Sequence, residues 1–183
     1  MTDPAELRPV PPPPANVELW EARRPSAELG HFLYTAAGGN WYWIHRLSWT
    51  QEAWLERLGH PRVETWILYV EGTPAGYFEL DGRAGTDVEI AYLGLFPDAI
   101  GRRLGGWLLT ESIRRGWAMG ARRVWVHTCT LDAPGALRNY QARGMRVFKE
   151  VAEPLEIPDQ PLGPWPGGGV RGPRTAVGPA AAP

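Results

Sequence analysis

The chain has 183 residues, of which 44% are hydrophobic and 21% charged, with a formal net charge of −1. This balance predicts one globular domain with a sizeable core. A net charge near zero argues against broad binding to nucleic acid or to an anionic membrane, so neither is expected as a partner. Cys129 is the only cysteine, which excludes an internal disulfide. A single cysteine suits a reducing compartment, and the sequence has no membrane-length apolar run and no signal-peptide pattern. These features favour a cytoplasmic setting.

Composition divides the chain into three stretches. Residues 1–15 are proline-rich and predict an extended N-terminal extension. Residues 16–157 carry the periodic apolar patterns of a folded domain. The tail, 158–183, is rich in Pro, Gly and Ala and poor in core-forming residues, which predicts disorder.

The first half of the domain predicts one strand and two helices. Gly38-Gly39 is expected to end the first helix, and Thr50 to open the second. The elements are a strand over 17–22 and helices over 26–37 and 50–59. Tryptophans are unusually frequent here, and they indicate either core and subunit contacts or an aromatic-lined acceptor pocket: Trp41, Trp43, Trp49, Trp54 and Trp66.

The second half predicts strands first and then a long helix. Three strands separated by short turns favour an antiparallel meander over a βαβ series. The predicted elements are strands over 63–70, 74–80 and 87–96, a helix over 103–119, a strand over 123–128, a helix over 134–143 and a strand over 145–151.

The turn between the third strand and the long helix is the main functional signal. Gly101, Gly105 and Gly106 lie at the bend, and the start of a helix presents free backbone N–H groups to an anion. This favours a phosphate-bearing cofactor. A Walker loop does not fit, because no Gly-Lys-Ser/Thr follows. A dinucleotide fingerprint fits poorly, because its spacing differs and the preceding strands are predicted to be antiparallel.

Four segments occur in an order that resembles the core of the GCN5-related N-acetyltransferase (GNAT) superfamily. They are EIAYLGLFP, IGRRLGGWLL, RVWVHTCT and ALRNYQARGMRVF. The likeness extends over about residues 17–151. It implies an α/β (α+β) fold with a mixed, mostly antiparallel central sheet flanked by helices, and a V-shaped splay between the central strands.

The resemblance implies acetyl-CoA, or another acyl-CoA, as co-substrate and no metal. Ile100 and Arg103 depart from the family's turn, where Arg103 occupies a glycine position. An arginine there can still present its backbone N–H if its φ stays negative. The cofactor-binding residues implied are Leu93, Gly94, Leu95, Phe96, Gly101, Arg102, Arg103, Leu104, Gly105, Gly106, Thr128, Asn139 and Tyr140.

The implied reaction is direct attack by a primary amine of a small molecule or protein on the thioester. Glu89 matches the family's catalytic glutamate, and Glu79 is the second candidate for the base. Strand alternation puts Glu89 on one face with Ala91 and Leu93, unless a bulge shifts the register.

Tyr140 matches the tyrosine that protonates the departing CoA thiolate. His127 and Cys129 alternate onto one strand face, and structural roles are favoured for both. The acceptor is not identified, although aminoacyl-tRNA is disfavoured by the charge. The altered turn keeps open a non-catalytic acyl-CoA-binding or sensor domain, and Trp-rich contacts keep open a homodimer.

Overall fold

The computed structural model describes residues 1–13, 16–152 and 154–165. The order of elements follows the prediction through residue 142, with short 3₁₀ helices at Pro4–Glu6 and Pro97–Ala99. The strands and α-helices are β1 (Val17–Glu21), α1 (Ala27–Gly38), α2 (Gln51–Leu58), β2 (Val63–Val70), β3 (Thr73–Asp81), β4 (Asp87–Leu95), α3 (Gly105–Ala118), β5 (Arg123–Trp125) and α4 (Ala136–Ala142).

The strands form one sheet in the order β1-β2-β3-β4-β5. The pairs β1–β2, β2–β3 and β3–β4 are antiparallel and β4–β5 is parallel, which confirms the predicted mixed, mostly antiparallel sheet. One face packs against α3 and α4 in the main core. The other face packs against α1 and α2 in two smaller clusters. The sheet therefore separates two layers of helices.

Local capping explains why the two early helices begin where they do. The Ser26 hydroxyl accepts a hydrogen bond from the Leu29 N–H at 3.2 Å, and the Thr50 hydroxyl accepts one from the Ala53 N–H at 3.3 Å. Each side chain satisfies a donor that the first turn of a helix otherwise leaves free. Gly39 and Gly59 are the corresponding C-caps. These boundaries agree with the sequence prediction to within about a residue.

A β-bulge in β4 shifts the register of the central strands. Glu79 pairs with Tyr92, whereas Leu80 pairs with Ile90, so Ala91 is an extra residue on β4. Val88 and Ile90 lie in the core beside α3, and Leu93 packs against that same core. Tyr92 instead packs against the clusters beside α1 and α2. The bulge is the stated exception to the alternation expected for Glu89, Ala91 and Leu93, and Glu89 and Leu93 do not share a face.

The same bulge limits the pairing of β4 with β5. Only Asp87, Val88 and Glu89 pair with β5, and their partners are residues 123–125. A bulge bends its strand, so β4 beyond Glu89 turns away from the residues that follow β5. The strand predicted over 123–128 therefore ends at Trp125. The two central strands thus part after Glu89.

The predicted strand over 145–151 is wrong. The outer edge of β5 is instead bonded to residue 1: the Met1 amine donates to the Val124 carbonyl at 2.9 Å, and the Val124 N–H donates to the Met1 carbonyl at 3.0 Å. A strand needs a partner edge, and this one is taken. Val147, Phe148 and Val151 are accordingly exposed.

The two ends of the chain pack on the domain where they are described. The Val10 N–H donates to the Thr110 hydroxyl at 3.1 Å. The predicted disorder beyond Pro158 falls largely on 166–183, outside the described residues. Nearer the domain, Gly163 is buried and its N–H donates to the Gly39 carbonyl at 3.0 Å. None of the described helices is long and apolar enough to cross a membrane.

Candidate active site

The gap between β4 and the chain beyond β5 is the centre of the site. From Ile90 to Leu95, β4 pairs with β3 on one side and with no strand on its other side in the described chain. The turn into α3 lies at the end of β4, and α4 packs against the start of α3 through a 3.2 Å hydrogen bond from the Asn139 amide to the Gly105 carbonyl. The gap is therefore bordered by a free strand edge, a helix start and α4.

The turn before α3 presents a row of backbone donors. Gly101 has a φ of 84° and α3 has no side-chain N-cap. Within the described residues, six successive or nearly successive N–H groups donate to no acceptor, at Gly101, Arg103, Leu104, Gly105, Gly106 and Trp107. Together with the positive end of the α3 dipole, such a row suits a phosphate group. The residues present therefore fit the pyrophosphate of coenzyme A.

Arg103 adopts a left-handed backbone conformation, with φ at 61°. The condition that its φ stay negative is therefore not met. The turn requires a left-handed residue at this point, where the family pattern has glycine, and an L-residue adopts that conformation at a cost of about 1–2 kcal/mol. The side chains of Arg102 and Arg103 are exposed and make no ion pair or hydrogen bond with the described residues. Their charges are free to face a phosphate.

The four predicted cofactor contacts on β4 and just beyond it are not equivalent. Leu93 and Leu95 are half-buried and pack on the main core. Gly94 faces the other layer, where an added Cβ would lie 2.9 Å from the Ala37 Cβ. The Phe96 N–H already donates to the Ala75 carbonyl at 2.9 Å. Phe96 therefore has no backbone donor left for a ligand.

The α4 side of the gap contains Tyr140 and a hydrogen-bonded loop. Tyr140 is 8% exposed and belongs to the main core. Burial, with the charge of Asp132 adding to it, raises the pKa of the Tyr140 phenol above its ordinary value. Thr128, predicted to touch the cofactor, donates its hydroxyl to Asp132 at 2.6 Å. Asp132 is a residue that the sequence patterns did not indicate.

Glu89 lies at the point where the strands part, and it is bonded to His127. Its Oε1 is 2.6 Å from the His127 Nδ1. The Glu89 side chain is 21% exposed and the His127 side chain 68%. The hydrogen bond that His127 donates to Glu89 raises the pKa of His127, against a smaller lowering by burial, and the charges of Glu89 and Asp132 add to the rise. The structure brings together two residues that sequence reasoning had kept apart.

Glu79, the second candidate for the base, is occupied by two arginines. Arg46 forms a bidentate pair with it at 2.7 and 2.8 Å, and the Arg57 Nε donates to it at 2.8 Å. All three residues are buried, with Glu79 only 1% exposed. A carboxylate so placed cannot reach an acceptor amine. The role of Glu79 is to neutralise buried positive charge.

Aromatic rings enclose the Arg46 guanidinium. Its central carbon lies 4.5, 5.5 and 4.3 Å from the ring centroids of Trp49, Trp54 and Tyr92. These are cation–π distances. Trp54 is buried and Trp49 half-buried around this charge. Both rings also line a shallow surface pocket, together with Ala27, Glu28, His31 and Gln51. Among the described residues, no group of three His, Cys, Asp or Glu side chains could hold a metal ion.

A sheet that parts at a bulge, followed by a donor-rich turn and helix, defines the acyl-CoA-dependent class of transferase domain. The model of the acetyltransferase (GNAT) family matches residues 18–145. The chain therefore belongs to the GNAT acetyltransferase family, whose donor is acetyl-CoA, and it is an N-acetyltransferase of that family. No curated protein matches it significantly in sequence.

Solved structures share the fold at low sequence identity. An aminoglycoside acetyltransferase from an uncultured soil metagenomic sample, solved with sisomicin, has a TM-score of 0.61 at 12% identity, covering 76% of this chain and 95% of its own. A GNAT protein from Streptococcus pneumoniae TIGR4 has a TM-score of 0.54 at 16% identity, with coverages of 76% and 99%. The aminoglycoside N-acetyltransferase AAC(6')-Iy, in complex with CoA, has a TM-score of 0.51 at 15% identity, with coverages of 80% and 99%.

Proposed function

We propose that this protein transfers the acetyl group of acetyl-CoA directly to a primary amine of a small molecule or protein, in a ternary complex. The observation that carries the proposal is the row of free N–H groups before α3, beside a β4 edge without a strand partner. Acetyl-CoA supplies an activated acyl group with a good leaving group. The chain supplies binding, orientation and proton transfer.

The turn residues hold the anionic end of the donor in this proposal. Backbone N–H groups at Gly101 and from Arg103 to Trp107 bind the pyrophosphate, and the exposed guanidinium groups of Arg102 and Arg103 add charge. The free edge of β4 from Leu93 to Leu95 contacts the pantetheine arm, and an N–H there polarises the thioester carbonyl.

Tyr140 acts on the sulfur as a hydrogen-bond donor. A thiol has an ordinary pKa of about 8.5 and a phenol one of about 10, and burial raises the pKa of Tyr140 further. Complete proton transfer from the phenol to a thiolate is therefore uphill, whereas a hydrogen bond to the developing charge is favourable. Glu89 is the carboxylate that promotes loss of a proton from the acceptor ammonium, either directly or through its hydrogen bond with His127.

Release of CoA thiol across a panel of amines tests the proposal. The panel is sisomicin, spermidine, a peptide with a free N-terminal amine and a peptide with an internal lysine. We expect thiol release above the amine-free rate for at least one of them. Tyr140→Phe should then lower kcat by about 10- to 100-fold, the value of one hydrogen bond to a charged group. Its Kd for acetyl-CoA should stay within about twofold.

A non-catalytic sensor is the second candidate, and the left-handed Arg103 at a glycine position of the motif favours it. Tight acetyl-CoA binding by calorimetry, with no thiol release for any amine, would support the sensor and refute the transferase. Absence of acetyl-CoA binding would refute both.

A further inference from the structure

His127 lies on the same side of the sheet as Glu89, two residues past the end of β5. Glu89 pairs with Trp125 in the β4–β5 ladder, so the gap begins at the next residue on each strand. Glu89 contacts the imidazole at Nδ1, which leaves Nε2 without a partner among the described residues. Because Nδ1 donates its proton to the carboxylate, the lone pair of the neutral ring is on Nε2.

We infer that His127 accepts the proton of the acceptor ammonium at Nε2, and that Glu89 is a positioning residue that orients the ring. This inference rests on the proposed transfer to an amine. The exposures support the assignment: the His127 side chain is 68% exposed and the Glu89 side chain 21%. The more accessible of the two groups is the one that can meet an incoming acceptor and return its proton to solvent.

The proton balance is simple. An alkylammonium gives one proton to His127 Nε2 and becomes the free amine, and Glu89 stabilises the imidazolium through Nδ1. The amine nitrogen forms a bond to the thioester carbonyl carbon, and the carbon–sulfur bond breaks. The second proton leaves the nitrogen, and the sulfur takes up one proton. The acetamide, CoA thiol and one proton released by His127 to solvent are the products.

The charges that face His127 come from two other parts of the chain. Glu89 lies on β4, and Asp132 lies in the loop before α4. On β3, Asp81 pairs with Glu89 in the ladder and is held by Arg57 and Arg83. The aromatic neighbour of His127 is Trp125, the last residue of β5, with 6.5 Å between the ring centroids. Both charged groups that act on the ring are negative, so the protonated ring is favoured.

His127→Gln is the decisive variant, because its amide can still donate a hydrogen bond to Glu89. With acetyl-CoA and the first panel amine that gives turnover, we expect kcat/KM for the amine to fall about 10²- to 10⁴-fold at pH 7. The acid limb of the pH profile should disappear. Glu89→Gln should retain that limb but move it to lower pH, since the carboxylate charge is gone. Added imidazole should restore turnover to His127→Ala.

Two measurements separate this role from a merely structural one. The proton NMR titration of His127, with no acceptor present, should move to lower pH in Glu89→Gln. Melting temperature and the Kd for acetyl-CoA should stay near wild type in His127→Gln, and the exposed His31→Gln should keep full activity. Turnover by His127→Gln with an unchanged pH profile would overturn this role alone. If no panel amine is turned over by the wild type, the proposed function fails and this role fails with it.

Discussion

Removing the charge of Glu79 should be among the most destabilising single changes in this chain. Glu79→Gln keeps the shape of the side chain but replaces one acceptor oxygen by an NH2 donor. It leaves Arg46 without a carboxylate and Arg57 with Asp81 alone. Arg46 and Arg57 are 4% and 7% exposed. Burial acts to lower the pKa of Arg46, but the hydrogen bond and charge of Glu79 outweigh it and raise that pKa. Arginine does not escape the cost by losing its proton.

The magnitude follows from the contacts. Breaking a buried ion pair by removing one partner costs about 3–5 kcal/mol. Arg57 retains Asp81 at 2.6 Å, whereas Arg46 keeps only its aromatic neighbours, so we expect about 3–5 kcal/mol and not more. For a chain of this size, that corresponds to a fall in melting temperature of roughly 6–20 °C.

Urea unfolding followed by circular dichroism measures the loss. Glu111→Gln is the matched control, because Glu111 pairs with the half-exposed Arg114 on the surface of α3, and its loss should cost under about 1 kcal/mol. The double variant Arg46→Met/Glu79→Met should lose less than the sum of its single variants, since no isolated charge remains. A cost for Glu79→Gln as small as that of the surface control would refute this account of the network.

Three further outcomes test the turn before α3 and the ion pairs of Asp81 on β3. Arg103→Gly should stabilise the fold by about 0.5–1 kcal/mol in urea unfolding. It relieves about 1–2 kcal/mol of left-handed backbone strain, which exceeds the extra conformational entropy that glycine gives the unfolded chain. Arg103→Ala keeps a Cβ at a left-handed position and should not stabilise the fold. Gly105→Ala should fold normally, since its Cβ would lie 3.7 Å from Leu95 Cδ1, yet weaken acetyl-CoA binding in calorimetry if a ligand approaches that backbone. Burial alone would raise the pKa of Asp81, but hydrogen bonds from Arg83 and the charges of Arg57 and Arg83 hold that pKa below its ordinary 3.8. Stability should therefore decline as the pH falls below that value, and Asp81→Asn should flatten the decline.

Local signals in the sequence were sufficient for most of the fold. The helix caps at Ser26 and Thr50 and the turn glycine Gly72, with its φ of 80°, each determine the backbone of only the next few residues. The boundaries of α1, α2 and the β2–β3 hairpin could therefore be predicted closely. Local signals do not predict every element. The composition of residues 145–151 favours a strand, but whether a neighbouring strand edge is free to pair with it depends on a distant part of the chain.

The features that the sequence did not predict all depend on register between distant segments. The Glu89–His127 bond joins residues 38 apart, and the Arg46–Glu79 pair joins residues 33 apart. The bulge residue Ala91 has no glycine or proline to mark it. A one-residue shift there changes which side chains face α1 and α2. Candidate roles could thus be assigned to single residues, but not to the pairs in which they act.

The turn before α3 and the α1–α2 face of the sheet depend on different kinds of contact. The turn before α3 presents backbone N–H groups, which the side chains of Ile100 and Arg103 do not remove. The α1–α2 face of the sheet is held by specific side chains. Glu79 pairs in the ladder with Tyr92, the residue after the bulge. Arg46, which forms the ion pair with Glu79, lies 4.3 Å from the Tyr92 ring centroid. The buried ion pairs therefore fix the α1–α2 segment against the same strand that carries Glu89. Backbone donors need only a chain conformation, so a short motif can indicate the turn before α3. The side-chain pairs Arg46–Glu79 and Glu89–His127 depend instead on contacts between distant segments.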